Sequence, residues 1–522
     1  MSNKKLAKNI GSMSSAVFIS RIFGLIRDIV MTSFFGTTYV ADAFQAAFQI
    51  PNLLRKLFGE GALSAAFVPI YSEIGIKKGK KVQLNFALKV LSILSLFLLI
   101  LCLFGIILAP VIVKILAPGF DEQTHNLTLK LVRILFPYLF LIGLSSTLIS
   151  ILNSHGFFFI PGLSSAFLNI AMIGSLGIFV FINKDASADS QIVFWAIGVI
   201  LGGILQTIIN FPLLKKIGYK IKVVFNLKGE ALISVWHRFL PGVIGLAIRQ
   251  VNLAVDLILA SLLATGSFAA LTYGNRLMQL PLGIFGVATG VAVLPLFSKF
   301  AAEKKWNELQ ESLKFSINTL SFIMLPITAI IAGLGKDFIR ILFMRGAFTS
   351  HSLDMTYRAL LFYSVGLIFF SLNRLIIPIF YANKDTKTPV KISAIIVVIN
   401  IILNLILMQF LQHAGLAFAT SISAMIHFFI LLCVMKKRLP EIGFPNVWLN
   451  ISKILCLSVL IFVGLFSADK IFLATTFLES IIKVVVLGVM SLIVVFIGSN
   501  ILKVEYSSDI RDKLFSFLRL KH

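Results

Sequence analysis

Apolar stretches of roughly 20 residues, the length that crosses a bilayer core, recur along this chain from end to end. They are long and continuous rather than short and alternating, which predicts an all-α polytopic membrane protein and excludes a β-barrel. The pattern places helices near 12–35, 41–74, 83–116, 127–153, 159–183, 191–215, 233–263, 268–300, 312–335, 353–382, 388–411, 414–436, 450–469 and 477–502. That is about fourteen transmembrane helices. A short basic segment, Ser507 to His522, follows and has the character of a surface-lying tail.

The polar positions that interrupt this pattern come next. Arg21 and Arg27 lie inside the first apolar stretch, in Ser20-Arg21-Ile22-Phe23-Gly24-Leu25-Ile26-Arg27-Asp28. A charge at bilayer depth costs at least ~2.5–3.5 kcal/mol, so such residues are expected to face a wet interior and serve a purpose. Arg55, Arg249, Arg276 and Arg374 repeat the anomaly. Several interior arginines suit an anion, and above all a diphosphate, because the planar guanidinium donates bidentate hydrogen bonds and stays charged when partly desolvated.

The second helix has the clearest organisation. Asp42, Gln45, Gln49, Asn52, Lys56 and Glu60 follow spacings of three and four and form one polar stripe, with Arg55 beside it. Such a stripe lines a cavity or forms a dry polar seam between helices; lipid cannot satisfy it. Pro51 and the Gly59/Gly61 pair allow a bend. On the first helix Arg21 and Asp28 share a face, and Arg27 points about a third of a turn away. The seventh helix carries Arg249, Asn252 and Asp256; the eighth carries Asn275, Arg276 and Gln279. The competing reading is that the arginines only form structural ion pairs with Asp28, Asp42, Glu60 and Asp256. Asn400 and Asn404 share a helix face and, with Asp256, offer oxygen ligands that suit sodium; interhelical hydrogen bonding accounts for the asparagines equally well.

A repeat is visible. Gln49-Ile50-Pro51 followed by Val68-Pro69-Ile70-Tyr71-Ser72 is echoed by Gln279-Leu280-Pro281 followed by Leu294-Pro295-Leu296-Phe297-Ser298. Both copies sit in the second helix of a six-helix half, which predicts two parallel-repeat lobes with a substrate site between them. The expected divisions are an N-terminal lobe at 1–217, a C-terminal lobe at 218–440 opened by an amphipathic linker, a final helix pair at 441–505 and a basic tail at 506–522. Pro51, Pro69, Pro281 and Pro295 are the candidate bends.

Composition agrees: mean hydropathy is +0.97 over 522 residues, far above a soluble domain. The net charge of +25 would suit nucleic acid, but most of it sits in short loops. One side has Lys77 to Lys81, Lys215 to Lys228, Lys299 to Lys305, Lys384 to Lys391 and Lys436 to Arg438. The other has Gly36 to Val40, Asp121-Glu122, Asp185/Asp189, Thr265 to Ser267 and His413. Positive charge stays inside, so both termini are expected in the cytoplasm; the basic loop near Lys336 to Arg345 fits least well. The charged N-terminal stretch does not read as a signal peptide. Cys102, Cys433 and Cys456 read as packing residues. No HExxH and no GxxxxGK[ST] occurs, so no enzyme constellation emerges.

The chain resembles the MurJ (MviN) family of lipid II flippases, within the superfamily that also holds multidrug and polysaccharide exporters. The likeness rests on Ser20-Arg21 to Arg27-Asp28, Ala41-Asp42-Ala43-Phe44 and Pro51-Asn52-Leu53-Leu54-Arg55-Lys56-Leu57-Phe58-Gly59-Glu60-Gly61-Ala62. It continues through Phe67-Val68-Pro69, Ala117-Pro118-Gly119-Phe120, Asn275-Arg276-Leu277-Met278 and Asp385-Thr386-Lys387-Thr388-Pro389-Val390-Lys391. The resemblance implies a cationic cavity between two lobes and movement of lipid II from the cytoplasmic to the periplasmic leaflet of the bacterial inner membrane by alternating access. It implies substrate contacts at Arg21, Arg27, Arg55 and Arg276, with Asp28, Asp42, Gln49, Asn52, Lys56, Glu60, Asn275 and Gln279 around the cavity or in gating. The last two helices would hold the polyprenyl tail. A sodium site would fall on Asp256, Asn400, Asn404 and Thr420, with the membrane potential as a further driving force and no other cofactor. Partners implied are lipid II, membrane lipids and the cell-wall synthesis machinery, without nucleic acid. Two departures stand out: Asn275 and Gln279 replace acids common in the family, and Lys56 stands where an arginine pair is common. The rival readings are a drug, cation or other polyprenyl-diphosphate-sugar exporter of the same fold, a non-transporting membrane scaffold, and an anion channel.

Overall fold

The computed structural model describes residues 3–57, 62–219, 222, 224, 230–442, 447–472 and 476–506. Glu60, the Gly59/Gly61 pair, Lys228 and the tail from Ser507 lie outside the described residues, as does the side chain of Arg249. Everything regular among the described residues is helical.

The chain packs as two compact units, Met1–Phe268 and Ala269–His522. The first contains α1 (Asn3–Phe35), α2 (Tyr39–Leu54), α3 (Ala62–Lys78), α4 (Lys80–Ile107), α5 (Ala109–Leu116) and α6 (Glu122–Leu135). It continues with α7 (Pro137–Ser154), α8 (Phe159–Ile182), α9 (Ala188–Ile208), α10 (Phe211–Lys216) and α11 (Glu230–Ser261). Across the boundary lies α12 (Ser267–Pro281); the second unit then holds α13 (Ala288–Ala302), α14 (Trp306–Phe343), α15 (Ser350–Val365) and α16 (Leu367–Ala382). It closes with α17 (Lys387–Leu411), α18 (His413–Arg438), α19 (Trp448–Ile471) and α20 (Phe477–Ile501). The sequence repeat divides at 217/218 and the packing at 268/269, because α11 packs against α3, α5 and α2.

Several expected helices are broken in two, and proline explains most of the breaks. Pro110, Pro137 and Pro212 sit at the first or second position of α5, α7 and α10. There the missing N–H and fixed φ suit a helix start and not a helix interior. α15 and α16 meet at Gly366 with a bend of 41°. Among the described residues ten helices are long and apolar enough to cross a membrane, or eleven with that bent pair, so the count of fourteen is not confirmed. The three expected spans missing from this set, 12–35, 41–74 and 233–263, carry the interior arginines Arg21, Arg27, Arg55 and Arg249.

The two proline repeats produce the same local distortion. After Pro51 the chain makes a π-helical turn at Arg55–Leu57; after Pro281 it is π-helical over Leu282–Val287. Proline removes an i→i−4 hydrogen bond, and a wider π turn absorbs the lost register within a continuing helix.

Polarity is inverted relative to a soluble protein. On α17, Ile395, Val398, Ile402 and Leu405 are exposed on one face while Asn400 and Asn404 are buried on another. Exposed apolar faces of this kind recur on α4, α19 and α20, which is the surface a lipid solvent requires. The first unit's core is built around Phe67, Tyr71, Phe86, Leu98, Leu152 and Phe239. In the second, Leu334 of α14 packs with Ile454, Leu457, Ile461 and Leu487 of the last two helices. Cys102 is buried, but Cys433 and Cys456 are exposed, so packing accounts only for the first.

Candidate functional site

In the first unit Arg27 is held by three hydrogen bonds to two partners. Its Nε and Nη2 donate to Asp28 Oδ1 at 3.1 and 2.8 Å, and its Nη1 donates to Asn169 Oδ1 on α8 at 3.0 Å. Asp28 and Asn169 are buried, and Ser20 meets Ser165 at 2.6 Å along the same α1–α8 seam. The guanidinium pairs with its chain neighbour Asp28. A flexible arginine stem in low dielectric moves to its nearest carboxylate. Arg21, one and a half turns earlier, is exposed.

The α2 stripe changes character along its length. Asp42 and Gln45 are buried at its start, while Gln49, Asn52, Arg55 and Lys56 are half-buried. Asp42 Oδ2 accepts from the Gly266 backbone N–H at 2.6 Å. Gly266 has φ +88°, and a Cβ there would collide with the Thr37 carbonyl oxygen, so the turn that offers this N–H requires glycine. Gln49 Nε2 donates to the Leu253 carbonyl of α11 at 2.9 Å. Arg55 Nε donates to Asn52 Oδ1 at 2.7 Å, one turn back and beside the π turn. On α11, Asn252 Nδ2 donates to Asp256 Oδ2 at 3.4 Å.

In the second unit Arg276 is half-buried on α12, flanked by Asn275 and Gln279, which hydrogen-bond to each other. Asn275 and Gln279 are therefore a neutral amide pair bonded within their own helix. Arg374 lies half-buried on α16. Asn404 Nδ2 donates to Asn400 Oδ1, and Asn400 Nδ2 donates to Ser423 Oγ of α18, both at 3.1 Å. Thr420 spends its hydroxyl proton on the Leu416 carbonyl at 2.9 Å, leaving oxygen lone pairs at this α17–α18 seam.

Two features escaped the sequence reading. Asn169 is the partner that ties Arg27 to α8. Lys483 of α20 is buried and bonded to Asp337 of α14 at 3.0 Å and to Asp469 of α19. The available signal in both cases was one polar residue inside an apolar stretch.

The family model for Lipid II flippase MurJ matches residues 31–499. The chain belongs to the MurJ family. It is 34% identical over 466 residues to a probable lipid II flippase MurJ of Buchnera aphidicola subsp. Baizongia pistaciae, covering 88% of this chain and 90% of that one. The corresponding MurJ protein of Vibrio cholerae is 32% identical over 438 residues, 82% of each chain. A solved structure of a MurJ flippase in an inward closed conformation superposes with a TM-score of 0.77 at 30% identity, covering 94% of this chain and 99% of that chain. An inward-facing multidrug exporter of the MATE family matches with a TM-score of 0.63 at 16% identity, covering 82% of this chain and 99% of that one, which shows a shared fold alone. MurJ proteins are transporters, and the chain's place among them is not that of an enzyme.

Proposed function

We propose that this chain flips lipid II, the lipid-linked peptidoglycan precursor, from the cytoplasmic to the periplasmic leaflet of the bacterial inner membrane, for use by the cell-wall synthesis machinery. The observation that carries the reading is family membership across residues 31–499, and the interior arginines supply the matching chemistry. A drug or cation exporter would call for carboxylates in place of Arg21, Arg27, Arg55 and Arg276.

Arg27 suggests how substrate engages. Asp28 takes two of its N–H groups and Asn169 a third, so a carboxylate oxygen stands where a phosphate oxygen would go. A diphosphate presents more charge and more acceptor oxygens than one carboxylate and competes for the same fork. Its arrival would free Asp28 and loosen the α1–α8 seam, linking occupancy to movement of α1. Arg21 and Arg55 are the further proposed anion contacts of the first unit, and Arg276 is that of the second. The lysine-rich loops support a topology with both termini in the cytoplasm. Sodium is the proposed coupling ion, through the oxygens that Asn400, Asn404 and Thr420 offer at the α17–α18 seam, and sodium-independent flipping would refute that part.

The test follows lipid II exposure on the outer membrane face in cells that depend on this chain. Exposure should be lost with correctly inserted Arg27→Ala or Arg276→Ala. Unchanged exposure on depletion, with no other flippase present, would overturn the function. Full activity of both variants would overturn the arginine assignment.

A further inference from the structure

Ser145 of α7, Ser164 of α8, Gln206 of α9 and Asn210, between α9 and α10, are each at most 3% exposed. They meet because of how α9 ends. Pro212, at the start of α10, has no N–H, so a straight helix cannot run on past it. α9 stops at Ile208, and the Asn210 amide turns to the Thr207 carbonyl at 3.3 Å. The Gln206 carbonyl, which that amide would serve in a continuing helix, takes side-chain donors. Asn210 Nδ2 donates to it at 2.7 Å, Ser145 Oγ at 2.9 Å and Ser164 Oγ at 3.3 Å. Glycine permits the close approach one turn earlier: a Cβ at Gly202 would lie 2.7 Å from Leu168 Cα of α8, and one at Gly203 3.0 Å from Leu141 of α7.

These bonds fix what the node offers. Ser145 and Ser164 have committed their hydroxyl protons, which leaves their oxygen lone pairs. Asn210 is oriented by its Nδ2 bond, so the atom it turns the other way is Oδ1. Asn210 Oδ1 and Gln206 Oε1 are both buried, and neither accepts a hydrogen bond from the described residues. Burying an amide oxygen without a donor is unfavourable, and here two occur four residues apart. Hard, uncharged oxygens gathered at the carboxyl end of a broken helix, where the peptide dipoles add negative potential, suit a monovalent cation. Divalent ions call for carboxylates, and none of the four residues is acidic. Lys215 and Lys216, the cations that follow along the chain, are exposed and screened by solvent.

We infer that this node binds a monovalent cation, sodium or potassium, which ties α7, α8 and the end of α9 together. It is separate from the α17–α18 seam, which lies in the other unit, and it does not depend on the lipid substrate.

The experiment follows thermal unfolding of the purified full-length protein in detergent as NaCl or KCl replaces choline chloride at constant ionic strength. Wild type and Thr420→Val, which strips one oxygen from the α17–α18 seam, serve as parents. In both, the midpoint should rise steadily with the logarithm of the concentration of sodium or potassium. Gln206→Met should move that dependence to ~10–100-fold higher concentration, the worth of one contact to a charge. In choline alone it should unfold no lower than its parent, because it removes an oxygen that lacks a donor, and this certifies folding. Ser164→Ala should move the dependence the same way from a second helix, and it carries the test if Gln206→Met does not fold. The salt that acts at lower concentration identifies the ion. Midpoints insensitive to both cations, or a dependence that Gln206→Met and Ser164→Ala leave in place, would overturn the proposal and assign these oxygens to buried water. A dependence that Thr420→Val abolishes would overturn it as well, placing the ion in the second unit.

Discussion

The buried Lys483–Asp337 pair is a contact whose breaking the structure makes expensive for stability. The Lys483 side chain is 4% exposed, Asp337 is 3% exposed, and their ion pair measures 3.0 Å. Asp337 also accepts from Arg340 Nη1 at 3.0 Å and from Ser480 Oγ at 3.3 Å, and Lys483 also bonds Asp469, which is half exposed. Removing one partner of a buried pair costs ~3–5 kcal/mol, because the other charge is stranded. For Lys483→Met the low end applies, since Asp337 keeps Arg340 and Ser480. For Asp337→Leu the high end applies, since one substitution removes the acceptor shared by Lys483, Arg340 and Ser480, although Lys483 keeps Asp469. The double variant replaces the pair with apolar volume, which is often neutral or better, so it should recover at least ~2 kcal/mol relative to the sum of the singles. The unit that contains this network is about 250 residues, for which 1 kcal/mol corresponds to ~2–4 °C. Thermal unfolding in detergent should therefore fall by ~6–12 °C for Lys483→Met. Single variants within ~2 °C of the parent, or strictly additive losses in the double, would refute the claim that these charges fasten α20 to α14.

Other outcomes follow from particular contacts. Gly266→Ala should cost ~1–2 kcal/mol from the left-handed backbone alone, and more from collision with the Thr37 carbonyl; an unfolding temperature equal to wild type would refute it. Burial, and then the nearby Lys80, hold the His155 imidazole below its ordinary value. The unfolded chain therefore binds the proton first, so the His155 contribution is complete above pH ~6.5 and is lost as pH falls below it. Unfolding temperature should drop between pH 7.5 and 5.5 in wild type and drop less in His155→Gln; equal drops would exclude the histidine.

The basic stretch Lys336 to Arg345, expected as a loop, is helical as far as Phe343 and forms the last turns of α14. Among its cations, Lys336 pairs with Asp354 at 2.7 Å and Arg340 with Asp337, so much of its positive charge is neutralised locally. Charge counting along a loop does not register a partner on the next helix or inside the bundle.

What the sequence by itself determined is what depends on neighbours along the chain. Apolar runs specified helices for a lipid solvent, and prolines specified where those helices restart. The paired Gln-x-Pro motifs marked two candidate bends, which the structure shows as π-helical turns, and the Pro51–Ala62 motif with the interior arginines marked the family. Tertiary structure alone decided which polar groups meet. Arg27 finds Asn169 on α8, Asp42 finds the Gly266 N–H, and Lys483 finds Asp337 on α14. Helical periodicity assigns a residue to a face but not to a neighbour. In a medium without water a buried polar group takes whichever partner packing brings within hydrogen-bond reach.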